Sequence, residues 1–322
     1  MQEGCGIFYA QRIEYRTWTQ STPEVNNAMS TILVTGATGF LGSRLTAALA
    51  GRHRVLALTR AKRISGDAVH VRGAFSSFED LRALDAHTLD AAVHLAAVTG
   101  GCTEEETLAV NVDGTRRLLR YLLDRGCRRI VLASSIAAVG CLDGPNFLPL
   151  RLPMPDDHPC LARDAYGLSK FLMEELTGYF ARRFPDAALP LLRIGAVLDE
   201  THLDPATLQD EPPLWGPFCQ LARVATDDVV CAFTLALEAP LAPGLRRWNV
   251  VAPEASCARP VAEVLRAHYA GREHGLDWSY FERDGNAFAP VYAMEAIRRD
   301  LGFTPQISVR PAAVRARAEK KT

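Results

Sequence analysis

Apolar positions in this chain fall in short, nearly continuous runs, and the segments between them carry apolar residues at helical spacing. The runs are TILVT (31–35), RVLALT (54–59), AVHVR (68–72), DAAVHLAA (90–97), RRIVLASS (128–135) and LPLLRIGAVL (189–198). Runs this short and this apolar read as strands buried on both faces. Helices are predicted over 40–50, 78–84, 104–124 and 165–183, the last ending near Phe184-Pro185, where proline removes a backbone donor. Strands alternating with helices at short spacing predict parallel βαβ units. The expected fold is therefore α/β, a doubly wound parallel sheet of the Rossmann type with a smaller C-terminal substrate lobe.

The pattern also divides the chain. Residues 1–28 are polar and aperiodic and read as an extension outside the core. Residues 29–195 form the expected dinucleotide-binding domain, and 196–322 are mainly a substrate lobe. Within that lobe, a strand and a helix near 226–252 return to the first domain. Pro205, Pro212, Pro213 and Pro217 mark a loop-rich stretch, after which ATDDVVCAFTLALEA predicts a helix.

Composition narrows the partners. The 322 residues carry a formal net charge of -1, so no global field draws the protein to nucleic acid or to an anionic membrane. No apolar run approaches the roughly 18 residues that span a bilayer, and the N-terminus lacks the pattern of a secretion signal. The eight Cys are scattered without metal-ligand spacing, which predicts no metal site and free thiols in a reducing cytoplasm. Of 36 basic residues only four are Lys, and Lys170 alone lies in the middle of the chain.

Two motifs carry chemistry. Gly36-Ala37-Thr38-Gly39-Phe40-Leu41-Gly42 follows the first strand and opens the first helix. Glycines there permit a tight turn and let the backbone approach a pyrophosphate at the helix start. The turn makes Gly36, Thr38, Gly39, Phe40 and Leu41 cofactor-binding candidates. The second strand ends without an acid to hold a ribose 2'-hydroxyl and is followed by Arg60, Lys62 and Arg63. Cations there suit the 2'-phosphate of NADP, with NAD the alternative.

In the second motif, Tyr166 and Lys170 stand four residues apart, on one helix face. A nearby ammonium favours phenolate and so is expected to lower the tyrosine pKa. In a chain that prefers Arg, a retained Lys points to a site that needs a compact ammonium. Ser134 and Ser135 close the fifth strand, where strand ends face the ligand crevice, so a hydroxyl there can polarise a carbonyl while Tyr166 moves the proton.

Taken together, TGATGFLG, HLAA (94–97), NVDGT (111–115), the serines at 134 and 135, YGLSK (166–170), LRIG (192–195) and Asp227-Asp228-Val229 resemble the short-chain dehydrogenase/reductase superfamily. The likeness is to its extended branch of nucleotide-sugar epimerases, dehydratases and reductases. It implies Tyr166 as catalytic acid/base, Lys170 as the ribose-binding residue that lowers its pKa, and Ser135 as the hydroxyl on the substrate carbonyl. It also implies Leu95, Ala96, Ala97 and Asn111 along the cofactor, and a homodimer through the helices near 104–125 and 164–184. His94 is expected to be structural. Arg193, at a strand end, is a candidate anion clamp or a structural ion pair; Trp215 is a candidate pocket wall. Asp227 and Asp228 are expected to cap a helix.

Departures from the family pattern refine the expectation. Ser135 is followed by Ile136-Ala137 rather than the acidic pair of the dehydratases, which argues against loss of water. Gly195 is not followed by the epimerases' Asn-x-Tyr-Gly-Pro, and only 31 residues separate it from Asp227, short for a nucleotide-sugar grip. Gly73-Ala74 lacks the Asp that the family places on adenine. The leading expectation is an NADP-preferring oxidoreductase acting on a small carbonyl or secondary alcohol. The alternatives are an epimerase with tightly held cofactor, and a non-catalytic cofactor-binding sensor or scaffold.

Overall fold

The computed structural model describes residues 29–64, 66–199, 216–271, 275–313 and 316. The expected N-terminal extension and Trp215 lie outside the described residues. The chain opens with β1 (Thr31–Thr35), α1 (Phe40–Ala50), β2 (Arg54–Thr59), β3 (Val69–Arg72) and α2 (Phe78–Leu81). Then come β4 (Ala91–His94), α3 (Glu104–Leu108), α4 (Thr115–Asp124), β5 (Ile130–Ser135), α5 (Ala165–Arg183) and β6 (Ala188–Ile194). The C-terminal part holds β7 (Ala196–Leu198), α6 (Pro217–Gln220), β8 (Arg223–Ala225), α7 (Thr226–Glu238), β9 (Gly244–Val250), α8 (Val261–His268), α9 (Ser279–Glu282) and α10 (Glu295–Leu301).

Seven parallel strands form one sheet in the order β3-β2-β1-β4-β5-β6-β9. The order reverses between β1 and β4, so their carboxyl ends open the crevice in which such sheets hold ligands. Alternate residues of each strand supply opposite faces. Ile32, Val34, Val55, Ala57, Val131 and Leu192 pack with Leu45 and Leu49 of α1 and with Val229 and Phe233 of α7. Leu33, Leu56, Leu58, Leu132 and Leu191 pack on the other face with Leu118 and Leu122 of α4 and with Met173 and Phe180 of α5. The first cluster runs on into the C-terminal residues Phe218, Tyr269, Trp278 and Tyr292, so the two regions share one core.

Two expected elements are interrupted. The helix read over 104–124 contains a wider π-type turn at Ala109–Gly114 between α3 and α4. The strand read over 189–198 breaks at Gly195. There Gly195 N bonds Val250 O in the main sheet, while Ala196 N turns to Ala222 O and starts the separate β7-β8 ladder. Asp227 and Asp228 stand in the first turn of α7, and Asp228 has a further part. Its carboxylate accepts from the Gln306 and Ile307 amides, at 2.8 and 2.9 Å, and so ties the C-terminal segment to the helix start.

Candidate active site

The carboxyl ends of β1 and β4 meet at the glycine turn. A Cβ on Gly36 would stand 2.8 Å from Ala96 N, and one on Gly42 only 2.0 Å from the Gly36 carbonyl oxygen, so neither position admits a side chain without moving backbone. Helix α1 begins with no side-chain cap and no acid in its first turn. An uncapped, glycine-lined helix start of this kind suits the pyrophosphate of a dinucleotide, and the predicted Gly36, Thr38, Gly39, Phe40 and Leu41 all lie on it. Leu95 and Ala96 border the turn directly, since their amides point to the Thr35 carbonyl and hydroxyl oxygens. His94 is closed off as a structural residue. Its ring nitrogens meet the Thr35 and Thr115 hydroxyls at 2.7 and 2.9 Å, and burial, aided by the Lys170 charge, lowers its pKa to about 3.

At the end of β2, Thr59 holds the Ala61 amide through its hydroxyl. Arg60 and Arg63 are exposed and Lys62 is exposed beside them; none of the three forms an ion pair among the described residues.

The second motif is assembled by one close approach. Asp164 caps α5 by accepting from the Gly167 amide at 2.7 Å. A Cβ on Gly167 would lie 2.6 Å from the Ala137 carbonyl oxygen, so only glycine lets the first turn of α5 sit on the segment that follows Ser135. That contact brings the turn that carries Tyr166 toward Ser135, whose hydroxyl accepts from the Ala137 amide at 3.1 Å and favours the phenolate. Lys170 reaches along the same face. Its ammonium lies 5.7 Å from the Tyr166 ring centre and donates to the Ala133 carbonyl at 2.8 Å.

Electrostatics corrects the expected lowering of the Tyr166 pKa. Burial pushes the phenol up to about 12, only partly opposed by the Ser135 hydroxyl, so Tyr166 holds its proton throughout the neutral range. Burial also lowers Lys170 to about 8, against the pull of the Glu174 charge. The lysine therefore sits at some cost to the fold: about 2.5 pKa units below its ordinary value is roughly 3 kcal/mol, present in full below pH ~8. Between pH ~8 and ~10.5 the unfolded chain still holds a proton that the folded chain has released, so this cost fades as pH rises. Lys170→Met is expected to abolish turnover yet unfold at higher denaturant at pH 7 than the parent, by about 2–3 kcal/mol, with the gap narrowing through pH ~8–10.5. A variant less stable at pH 7 would contradict this.

Asn111 differs from expectation. It is buried in the π-type turn, and its amide is engaged by the protein: Oδ1 accepts from Val98 N at 2.9 Å, and Nδ2 donates to Val98 O and to the Ser169 hydroxyl. With both donors used, it positions the end of the β4 segment against α5 rather than offering a free group. Arg193 is likewise not available as an anion clamp. It is buried, forks onto Glu174 at 2.8 and 2.7 Å, and donates to the Asp156 carbonyl at 3.0 Å.

Sequence reading missed the buried Glu174, which also accepts from Ser134 at 2.6 Å and pairs with Arg247 at 3.1 Å. The signal was present, because Glu174 is one helical turn beyond Lys170. A cleft of about 260 Å³ lies in the C-terminal part, lined by Tyr280, Asn286, Phe288, Tyr292 and Arg298 among others. It includes neither Ser135 nor Tyr166, so the chemistry belongs to the crevice at the strand ends. Among the described residues no group of three or more His, Cys, Asp or Glu could hold a metal, and no helix is long and apolar enough to cross a membrane.

Comparison with known proteins agrees with this geometry. Residues 32–198 match the family described as NAD dependent epimerase/dehydratase. UDP-glucose 4-epimerase 2 of Oryza sativa subsp. japonica is 30% identical over 192 residues, 52% of this chain and 45% of the rice protein, so the chain spans less than half of that relative. UDP-glucose 4-epimerase of Halalkalibacterium halodurans is 26% identical over 90% of this chain and 87% of its own. A solved short-chain dehydrogenase/reductase superfamily protein of Agrobacterium tumefaciens, with bound NAD, superposes with a TM-score of 0.62 at 27% identity, covering 90% of this chain and 99% of that one.

Proposed function

Because the chain belongs to the NAD-dependent epimerase/dehydratase family and is an enzyme of the short-chain dehydrogenase/reductase type, we propose that it is an epimerase inverting a secondary alcohol of a nucleotide sugar. The observation that carries the reading is the Ser135–Tyr166–Lys170 group at the carboxyl end of β5. The curated relatives move the balance from net oxidoreduction to epimerisation. Gly36, Thr38, Gly39, Phe40, Leu41, Leu95, Ala96 and Ala97 would hold the dinucleotide, with Lys170 toward its ribose. A nicotinamide bound there supplies reversible acceptance and return of hydride.

The protein's own part is proton handling. In its phenolate form Tyr166 takes the proton of the reacting hydroxyl and afterwards gives it back, Ser135 donates a hydrogen bond to the same oxygen, and the Lys170 charge favours the phenolate over the phenol that predominates at neutral pH. A phenol held near 12 needs that charge most when it must lose its proton.

The test is incubation with UDP-glucose, followed by chromatographic separation of UDP-galactose. Conversion with no net change in nicotinamide absorbance is expected. A net absorbance change in step with substrate loss would overturn the epimerase reading. It would favour the second reading, a dehydrogenase or reductase of a smaller substrate, which the 31-residue span between Gly195 and Asp227 supports. The intact Ser135, Tyr166 and Lys170 weigh against a sensor or scaffold.

Cofactor preference follows from Arg60, Lys62 and Arg63. Three cations that form no ion pair among the described residues, and a neutral Thr59, favour a 2'-phosphate, although the Agrobacterium structure holds NAD. NADP+ is expected to bind at least ~10-fold tighter than NAD+, and Arg60→Ala with Arg63→Ala to erase that difference. Equal or tighter NAD+ binding by the parent, measured by calorimetry, would assign the cations to solvent.

A further inference from the structure

The last residues of β5 carry a ladder on one side only. β4 pairs with β5 no further than Leu132, whereas β6 stays paired through Ala133, Ser134 and Ser135. The strand end that presents Ser135 therefore needs a second fastening, and helix α5 supplies it from two successive turns. Lys170 Nζ donates to the Ala133 carbonyl at 2.8 Å, and Glu174 Oε1 accepts from the Ser134 hydroxyl at 2.6 Å. Ser134, Lys170 and Glu174 are all buried. Successive residues of a strand face opposite ways, so a tie on the Ser134 side chain sets the direction in which Ser135 leaves the strand.

Glu174 is itself held from the sheet. Arg193, opposite Ser134 in the register of β6, forks onto both carboxylate oxygens, and Arg247 of β9 reaches Oε2 at 3.1 Å. A carboxylate gripped by two guanidinium groups is fixed in place. It stands one helical turn beyond Lys170, which in turn stands one turn beyond Tyr166, so the three share a face of α5.

We propose that Glu174 is a positioning residue for the epimerisation, aiming Ser135 through Ser134 and setting a fixed negative charge one turn from the Lys170 ammonium. The proposal rests on the assignment of Ser135, Tyr166 and Lys170 to that reaction. Phenolate beside ammonium is the reacting state, and phenol beside neutral amine holds the same number of protons. Once Lys170 titrates, at about 8, pH no longer changes the ratio of the two. What sets the ratio is how firmly Lys170 holds its proton, and the Glu174 charge strengthens that hold against burial. The other groups around Lys170 keep one state from pH ~6 to ~9. Tyr166 on its own helix is held near 12, His94 on β4 is neutral above about 3, and Arg193 and Arg247 behind Glu174 are guanidinium groups.

The test compares Ser134→Ala and Glu174→Gln with the parent. Ser134→Ala leaves both arginine pairs in place, so it decides the proposal on its own should Glu174→Gln not fold. It is expected to lower kcat for UDP-glucose at least ~10-fold with KM within ~2-fold. Exchange of the Ala137 amide, which the Ser135 hydroxyl holds, should speed up at least ~10-fold while the β1 amides keep their rates. Glutamine at 174 keeps an oxygen for Ser134 but no charge. In Glu174→Gln the Lys170 titration, followed by NMR of isotope-labelled lysine in a chain with only four, should fall by ~1 pH unit, and the turnover deficit should be ~10-fold larger at pH ~9 than at pH ~6. Parental kcat and Ala137 exchange in Ser134→Ala would overturn the aiming of Ser135. An unmoved lysine titration, or a deficit independent of pH, would overturn the part given to the charge. Absence of UDP-glucose turnover in the parent counts against the proposed substrate instead, and the amide exchange and lysine titration still decide the positioning.

Discussion

Replacing Tyr166 by phenylalanine is expected to lower turnover by about 10²–10⁴-fold while changing dinucleotide affinity by no more than about two-fold. The substitution removes one hydroxyl and little else. The ring keeps its place beside the Lys170 ammonium, and Ser135 keeps its bond to the Ala137 amide. What disappears is the hydroxyl assigned to pass a proton at the reacting oxygen, whose ionisation Ser135 favours. Because burial holds the phenol near 12, removing its hydroxyl leaves no buried charge, and folding stability should stay within about 1 kcal/mol of the parent. Initial rates, a cofactor titration and a denaturant melt on one preparation separate these effects. A rate within ten-fold of the parent would remove Tyr166 from the chemistry; a large loss of cofactor affinity would make it a binding residue.

How far the sequence reaches depends on whether a feature is local. The strands and helices around the glycine turn were legible because burial on both faces gives continuous apolar runs, and the turn, the Tyr166–Lys170 spacing and Ser135 lie within single elements or at their ends. Contacts between elements were not. Arg193 and Glu174 lie on different elements, and the apolar pattern that marks a buried position does not name the partner buried with it. The direction of the Tyr166 shift failed for a related reason: the sequence displays a cation four residues away but not the depth at which both groups sit, and depth outweighs the cation here. The Gly195 break and the π-type turn at Asn111 follow from which neighbour accepts each backbone hydrogen bond, which a one-dimensional pattern does not encode.

The Arg193–Glu174 pair supplies the largest expected effect on stability. Arg193→Met is expected to destabilise the fold by about 3–5 kcal/mol, because it leaves the Glu174 carboxylate buried with its main partner gone. Arg247 remains at 3.1 Å and is partly exposed, which places the loss toward the lower end. The Asp156 carbonyl also loses its Arg193 donor, and this segment matters because Met154 next to it pairs with Val291 and Ala293 of the C-terminal region. Arg193→Met should therefore loosen the junction between sheet and C-terminal lobe. Adding Glu174→Leu removes the uncompensated charge and should restore much of the loss, so that the double variant is more stable than Arg193→Met alone by about 2 kcal/mol or more. Urea unfolding of the four proteins in this cycle measures the coupling directly. An anion clamp makes the opposite pattern: Arg193→Met of near-parental stability, a KM raised more than ~10-fold, and no rescue from Glu174→Leu. The measured coupling decides between them because only the ion pair makes the effect of one substitution depend on the other.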